Sequence, residues 1–180
     1  MKKTKQFTFF WKTDDVFSNW HPAKFIDHRD GVIYNCSEQF MMKYKALIFD
    51  DTETAAQIMQ AQDPKEQKRL GRLVKNFNMD IWKLHAKRIV SEGCYLKFHQ
   101  NFTMFEELMN TRGTMLTEAS PTDLLWGIGM KEDDIGVEDI KNWKGQNWLG
   151  DVLTSLRGIL EIEAAHHLSS KDNFSEELDY

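Results

Sequence analysis

The alternation of apolar and polar positions predicts a mostly helical chain with a little β-structure near its start. Residues 6–11 and 31–35 are short runs rich in aromatic, β-branched and threonine residues, so we expect two strands that pair in a small sheet. Apolar residues then recur at intervals of three and four over residues 37–49, 79–101 and 149–160. These intervals predict three amphipathic helices, of which the last is expected to be the main core helix. The expected fold class is α+β.

A fourth helix is indicated by a start signal. Residues 63–66 read Asp-Pro-Lys-Glu, which places an N-cap, a proline at the first helical position and a glutamate at the third. We expect a basic helix through residue 77, with a cationic stripe formed by Lys68, Arg69, Arg72 and Lys75. Such a stripe is usually a solvated face. It is also the best phosphate-binding candidate in the chain, because Arg72 can contact a pyrophosphate through two parallel N–H groups.

The length and composition fit one domain. At 180 residues, with 41% hydrophobic and 28% charged residues, the chain can bury one core, and it contains no repeat. We expect the domain to cover residues 1–160, followed by a helix end and an acidic, flexible tail over residues 161–180. Six acids and one base in that tail account for the formal net charge of −5, so residues 1–160 are neutral. A neutral body argues against broad electrostatic capture of nucleic acid and favours small-molecule substrates.

The sequence shows no sign of a membrane span, an export leader or a metal site. No run approaches the roughly 20 apolar residues of a membrane span, and residues 1–10 lack a long apolar stretch with a cleavage site. Cys36 and Cys94 fit neither a disulfide framework nor a metal motif, so both are expected to be reduced thiols. The six histidines show no ligand spacing. We therefore predict a cytoplasmic protein with no catalytic metal and no cofactor.

The densest chemistry lies in residues 116–129, LTEASPTDLLWGIG. Glu118 and Asp123 stand on either side of Pro121, which bars a continuous helix, so the two acids flank a turn that suits a catalytic site. Asp123 has an equally good structural interpretation, since Ser120 and Asp123 match the ends of a helix capping box. Glu118 has no such capping role, although a solvated loop acid remains an alternative.

The same segment supplies candidate ligand contacts. An indole such as that of Trp126 can stack on a planar base, and Gly127 and Gly129 allow the backbone to approach a ligand. Taken alone, Trp126 is more often a core residue. Asn19, set among aromatic residues in a predicted loop, is a candidate for hydrogen bonding to a ribose or phosphate, with an Asx-turn as its structural alternative. Asn147 lies where the last helix begins, a position with free N–H groups that suit an anion.

An acid and an amine share one face of the first predicted helix. Glu38 and Lys45 are seven residues apart, which is two helical turns, with Met41 and Met42 between them. A lysine desolvated in such surroundings has a depressed pKa and can act as a nucleophile. The structural alternative for Glu38 is a capping box formed by residues 35–38.

Five stretches, taken in order, resemble the NADAR family, the NAD- and ADP-ribose-associated domain also described as YbiA-like. They are FSNWHP (17–22), SEQFMMKYKA (37–46), KFHQN (97–101), LTEASPTDLLWGIG (116–129) and GQNWLGDVLTSLR (145–157). The resemblance implies a single YbiA-like domain and an N-glycosidase acting on ribosides. The implied substrates are early riboflavin-pathway intermediates or ADP-ribose attached to a nucleobase, including an ADP-ribosylated nucleic acid. Glu38 and Lys45 fall on characteristic positions of the family.

The residues then suggest roles in breaking a ribosyl C–N bond. We expect Trp126 to stack on the base, and Glu118 and Asp123 to orient the ribose or protonate the leaving group. Lys45 either attacks an opened ribose to form a Schiff base, or holds charge while Glu38 activates water. Two other classes of function remain, a binding module that recognises ADP-ribose without cleaving it and a non-catalytic interaction domain.

Overall fold

A computed structural model describes the backbone of residues 1–176 and the side chains of residues 1–166. The α+β class and the predominance of helix agree with the prediction. In this part of the chain the elements are, in order, β1 (Lys2–Lys3), β2 (Phe7–Phe10), β3 (Phe25–Asp27), β4 (Val32–Tyr34), α1 (Ser37–Ile48), α2 (Thr52–Gln60), α3 (Pro64–Gly71), α4 (Met79–Gln100), α5 (Phe102–Met109), β5 (Met115–Glu118), a 3₁₀ turn (Ile140–Asn142) and α6 (Trp148–Glu176).

The strands form two small sheets. In the first, β2 lies between β1 and β5, and it runs parallel to β5 with Phe10 opposite Glu118. In the second, β3 and β4 form an antiparallel hairpin. Both strands predicted from residues 6–11 and 31–35 exist, but the predicted pairing between them is wrong. Strand β2 is buried along its whole length and takes β5 as its partner, whereas β4 has a neighbour only five residues away across a turn at Gly31.

The helical core follows the apolar periodicity. Helix α1 packs against α2, α3 and α4, and α4 in turn packs against α6, which also covers β5. Gly93 lets α4 pass close to α1, because a Cβ at this position would lie 2.8 Å from Phe40. The predicted apolar face of α6 is buried except for Ile159, which is 49% exposed at the edge of the apolar arc.

Helix α3 starts as predicted and ends earlier. The Asp63 side chain accepts a hydrogen bond from the Lys65 N–H at 2.9 Å, with a proline at the first helical position. The helix stops at Gly71 rather than at residue 77, so the predicted continuous cationic stripe does not form. Arg69 pairs with a glutamate one turn earlier, and Lys75 lies beyond the helix.

Two further features bear on the expected boundaries. Helix α6 continues through residues 161–176, so most of the expected tail is helical, and residues 177–180 lie outside the described residues. Within the described part of the chain, no helix has both the length and the apolar character needed to cross a bilayer.

Candidate active site

A cavity of about 780 Å³ opens between the loop after β2, helix α3 and the segment after β5. Its walls combine two indoles, three cations and two acids: Trp11 and Trp20; Lys12, Lys68 and Arg72; Glu118 and Asp123. Aromatic faces, cations and acids in one cavity match the three parts of a phosphorylated nucleoside, namely base, phosphate and ribose.

Glu118 is held at the end of β5. Its N–H donates to Asn147 Oδ1 at 3.0 Å, and its carbonyl accepts from the Ile128 N–H at 2.9 Å. The carboxyl oxygen Oε2 is buried and has no hydrogen-bond partner in the described chain. Burial, followed by repulsion from Asp123, raises the pKa of Glu118 to about 8. The side chain is therefore protonated at neutral pH and can donate a proton.

Glu38 is a second buried carboxyl close to the cavity. It is 2% exposed, its Oε1 has no partner in the described residues, and its backbone N–H donates to the Asn19 carbonyl at 2.9 Å. Burial raises the pKa of Glu38 to about 7, although the charge of Lys68 and the neighbouring Trp20 indole oppose this rise. The capping-box interpretation of this residue is wrong, because Cys36 is the N-cap and the Asn35 N–H donates to the Gln39 side chain at 2.9 Å rather than to Glu38.

The two carboxylate oxygens of Asp123 have different partners: one stabilises the local turn and the other faces a cation of the cavity. Oδ1 accepts hydrogen bonds from the N–H groups of Leu125 (3.0 Å) and Trp126 (2.8 Å), while Oδ2 lies 3.8 Å from Lys68 Nζ. The Asp123 N–H does donate to Ser120 Oγ at 3.2 Å, but no helix follows, so this is a turn rather than a helix cap. The Asp123 carboxylate acts electrostatically on both Glu38 and Glu118.

Lys45 lies behind this cluster rather than in the cavity wall. Its Nζ donates to the Gly71 carbonyl at 2.7 Å and sits 4.1 Å from the centre of the Phe77 ring. Burial lowers the pKa of Lys45 to about 8, with Arg72 acting in the same direction and Glu38 in the opposite one. A substantial fraction of this amine is therefore neutral just above physiological pH.

A second cavity of about 390 Å³ adjoins the first and shares Trp20, Lys68 and Arg72 with it. The residues that line only this second cavity include two further cations, Lys65 and Arg69. Among the described residues, Lys65 and Arg72 form no ion pair. Cationic groups without a counter-charge are available to bind phosphate.

Comparison with known proteins identifies the family of this chain. The sequence profile of the NADAR domain matches residues 9–161. The chain belongs to the NADAR family. It is 40% identical over 146 residues to N-glycosidase R617 of Acanthamoeba polyphaga mimivirus, covering 79% of this chain and 85% of that protein. It is 36% identical over 169 residues to Protein irg-1 of Caenorhabditis elegans, covering 86% and 80%. The NMR structure of the E. coli protein YbiA superimposes with a TM-score of 0.73 at 24% identity, over 91% of this chain and 90% of that one, and so supports the fold.

Two of the expected ligand contacts in this NADAR domain, Trp126 and Asn19, do not line the cavity. Trp126 is only 9% exposed and packs edge to face against Trp148, with ring centres 5.8 Å apart, so it belongs to the core. Asn19 is also buried, and its side-chain oxygen accepts from the Cys94 thiol at 3.8 Å. Trp20, beside Asn19, presents the indole that lines the cavity.

Gly127, Gly129 and Asn147 shape the backbone around Glu118 but do not line the cavity of this NADAR domain. A Cβ at Gly127 would lie 2.9 Å from the Glu118 carbonyl, and Gly129 has a φ of 68°. Asn147, with φ of 54°, uses Oδ1 and Nδ2 to bridge the backbone of Glu118 and Leu116. The N–H groups expected to be free for an anion at the start of α6 already donate to carbonyls of residues 124–127.

The sequence therefore indicated the two acids of the cavity and, within the predicted cationic stripe, Lys68 and Arg72, but not the two indoles or Lys12. Trp20 stands in the FSNWHP stretch and so had a usable signal. Trp11 and Lys12 follow a short strand and carry no local signature. No group of three or more histidine, cysteine or acidic side chains in the described chain is arranged to hold a metal ion.

Proposed function

We propose that this NADAR domain is an N-glycosidase that hydrolyses the bond between C1 of a phosphorylated ribose and a nitrogen of a base. The observation that carries this proposal is the pair of buried carboxyls, Glu38 and Glu118. Each has one oxygen without a partner in the described chain, and burial raises their pKa values to about 7 and about 8. Two carboxyls whose pKa values lie close to neutral pH, beside a cavity large enough for a nucleotide, can act as acid and base.

The two carboxyls have complementary tasks in this reaction. Departure of the base leaves an oxocarbenium-like ribose, so the leaving nitrogen needs a proton and C1 needs a nearby negative charge. Glu118, protonated at neutral pH, supplies the proton. Glu38 accepts a proton from the attacking water, and the Asp123 carboxylate stabilises the positive charge on the sugar.

A second route uses Lys45 as a nucleophile. Its lowered pKa, near 8, favours attack of the neutral amine on C1 of an opened ribose. The bond from C1 to the base nitrogen breaks, the base leaves with a proton, and a Schiff base joins C1 to Lys45; water then hydrolyses this Schiff base to free the sugar and restore the amine. This route requires Lys45 Nζ to leave the Gly71 carbonyl and turn towards the cavity. Borohydride trapping during turnover, followed by mass spectrometry, separates the routes: an adduct on Lys45 identifies the covalent route, and its absence identifies direct attack by water.

The cavities favour a substrate with more than one phosphate. Trp20 lines both cavities, and so does Arg72. Among the described residues Lys12, Lys65 and Arg72 form no ion pair; Lys12 lines the first cavity and Lys65 the second. An ADP-ribosyl group attached to a nucleobase carries two phosphates and two planar bases, which fits this arrangement better than a riboflavin-pathway riboside with a single phosphate. We therefore propose the ADP-ribosylated base as the preferred substrate.

The proposal is tested by measuring released base chromatographically with the wild-type chain. The panel consists of riboflavin-pathway ribosides, NAD, free ADP-ribose, and ADP-ribosylated nucleoside, DNA and RNA. Faster release from ADP-ribosylated bases than from monophosphorylated ribosides supports the proposed substrate, and the reverse order supports the riboflavin-pathway alternative. Binding of ADP-ribose with no release from any compound would instead identify a binding module.

A further inference from the structure

Lys97, near the end of α4, is a buried cation that the proposed chemistry does not use. It is 1% exposed, and its Nζ donates to the Val16 carbonyl at 2.6 Å and to the Ser18 carbonyl at 2.9 Å. It forms no ion pair within the described chain, and the titratable groups that act on it electrostatically are the buried thiols of Cys94 and Cys36. Burying an ammonium is costly unless its donors are satisfied, so these two carbonyls are the partners that hold it in place.

The carbonyls belong to a loop, residues 16–20, that forms part of the site. Ser18 and Trp20 line the main cavity, and the carbonyl of Asn19 accepts the hydrogen bond from the Glu38 N–H. The Trp20 indole also lies beside the Glu38 carboxyl and lowers its pKa. The position of this loop therefore determines both the orientation of the Trp20 indole towards a ligand and the surroundings of Glu38, the proposed catalytic base.

Helix α4 holds this loop at successive points. One turn before Lys97, the Cys94 thiol donates to Asn19 Oδ1 at 3.8 Å. Because Cys94 and Lys97 are three residues apart, they lie on the same side of the helix and contact the same loop. A thiol is a weak donor, so the ammonium supplies most of the attachment.

We propose that Lys97 is a positioning residue, whose ammonium fixes the loop of residues 16–20 so that Trp20 faces the ligand and the Glu38 N–H keeps its hydrogen bond to the loop. This inference rests on the proposed N-glycosidase function. Lys97 touches neither substrate nor the reacting atoms, and it acts through the loop. Its removal should therefore change the catalytic properties of folded protein as well as its stability.

The test compares Lys97→Met with Gln100→Met. Gln100 lies on the same helix and also makes two hydrogen bonds to backbone, accepting from the Ile26 N–H at 2.9 Å and donating to the Ile26 carbonyl at 2.8 Å. Those bonds hold strand β3 rather than the cavity loop. Both variants should unfold at lower urea concentration, but only Lys97→Met should lower kcat/KM for base release, by about 10- to 100-fold per folded molecule, because the reacting groups are displaced.

A pH profile separates positioning from simple loss of stability. The groups that face Glu38 are Lys68, Asp123, Glu118, Lys45 and Trp20. Because Trp20 lowers the pKa of Glu38, loosening the loop should shift the limb of the kcat/KM profile that reports Glu38 to higher pH. The Gln100→Met profile should match wild type. Equal kcat/KM and identical limbs for both variants would overturn the proposal.

Two further measurements keep the outcome decisive. If Lys97→Met does not fold, Lys97→Gln, which keeps N–H donors without the charge, is measured in the same way. The NMR signal of the Trp20 indole N–H, assigned with Trp20→Phe, should shift in the Lys97 variant and stay in place in Gln100→Met. This signal reports the loop whether or not base is released, so an inactive wild type would contradict the proposed function without deciding the role of Lys97. An unchanged indole signal in a folded Lys97 variant would refute the positioning role.

Discussion

Replacing Glu118 by glutamine should make the protein more stable while removing its activity. Burial raises the pKa of this carboxyl from 4.5 to about 8. Each pKa unit corresponds to about 1.4 kcal/mol, so ionising Glu118 costs about 5 kcal/mol more in the folded protein than in the unfolded chain. Glutamine has a similar shape and carries no charge at any pH, so the variant does not bear this cost.

The sign of the pH dependence follows from proton binding. Between pH 4.5 and about 8 the folded protein keeps a proton on Glu118 that the unfolded chain has already lost. The free energy of unfolding therefore falls as the pH rises through this window, and the loss is complete above pH 8. At pH 7 the folded wild type should be less stable than Glu118→Gln by about 3 kcal/mol, and the gap should close near pH 4.5.

Urea unfolding at several pH values from 4.5 to 9 measures this gap directly. Glu138→Gln, a change at an exposed acid remote from the cavity, is the matched control and should run parallel to wild type. If the unfolding curves of wild type and Glu118→Gln stay parallel across this range, the carboxyl is not held protonated by burial, and its assignment as the proton donor is refuted.

Three further predictions follow from the same structure. Asp27→Asn should lower the free energy of unfolding by about 2 kcal/mol at pH 7, because a hydrogen bond from a guanidinium holds the pKa of Asp27 near 2. Urea unfolding should show the difference between variant and wild type disappearing as the pH falls from 3.8 to 2. Asn147→Ala should cost about 2 kcal/mol in the same assay and also slow base release, because it frees the backbone at Glu118. Trp20→Ala should raise KM about tenfold or more with little loss of stability, because Trp20 lines the cavity. Trp126→Ala should instead lower the free energy of unfolding by about 3 to 5 kcal/mol and leave KM unchanged, because Trp126 is buried. Enzyme kinetics and urea unfolding measure the two effects separately.

The helices were predictable because their apolar periodicity is local. Helices α1, α4 and α6 each repeat apolar residues every three or four positions, and each buries that face. Strand β5 was missed because it has only four residues, and its partner β2 lies more than a hundred residues earlier in the chain. No local pattern specifies a pairing of that kind.

The acids of the site were predictable for a different reason. Glu118 and Asp123 flank a turn that has few structural uses for two carboxyls, so the sequence already marked both as candidate site residues. The choice between Trp20 and Trp126 was not, because an indole suits both a core and a binding surface. The tertiary structure distinguishes the two indoles. Trp148 and the buried start of α6 cover Trp126, whereas Trp20 lines two cavities.

The most direct test of the account is the turnover of an ADP-ribosylated nucleoside by wild type, Glu118→Gln and Glu138→Gln, measured together with the Kd for ADP-ribose. We predict that Glu118→Gln loses base release by a factor of about 100 or more while binding ADP-ribose as tightly as wild type, and that Glu138→Gln matches wild type in both. Equal turnover by all three proteins would contradict the role of the buried carboxyl as the catalytic acid.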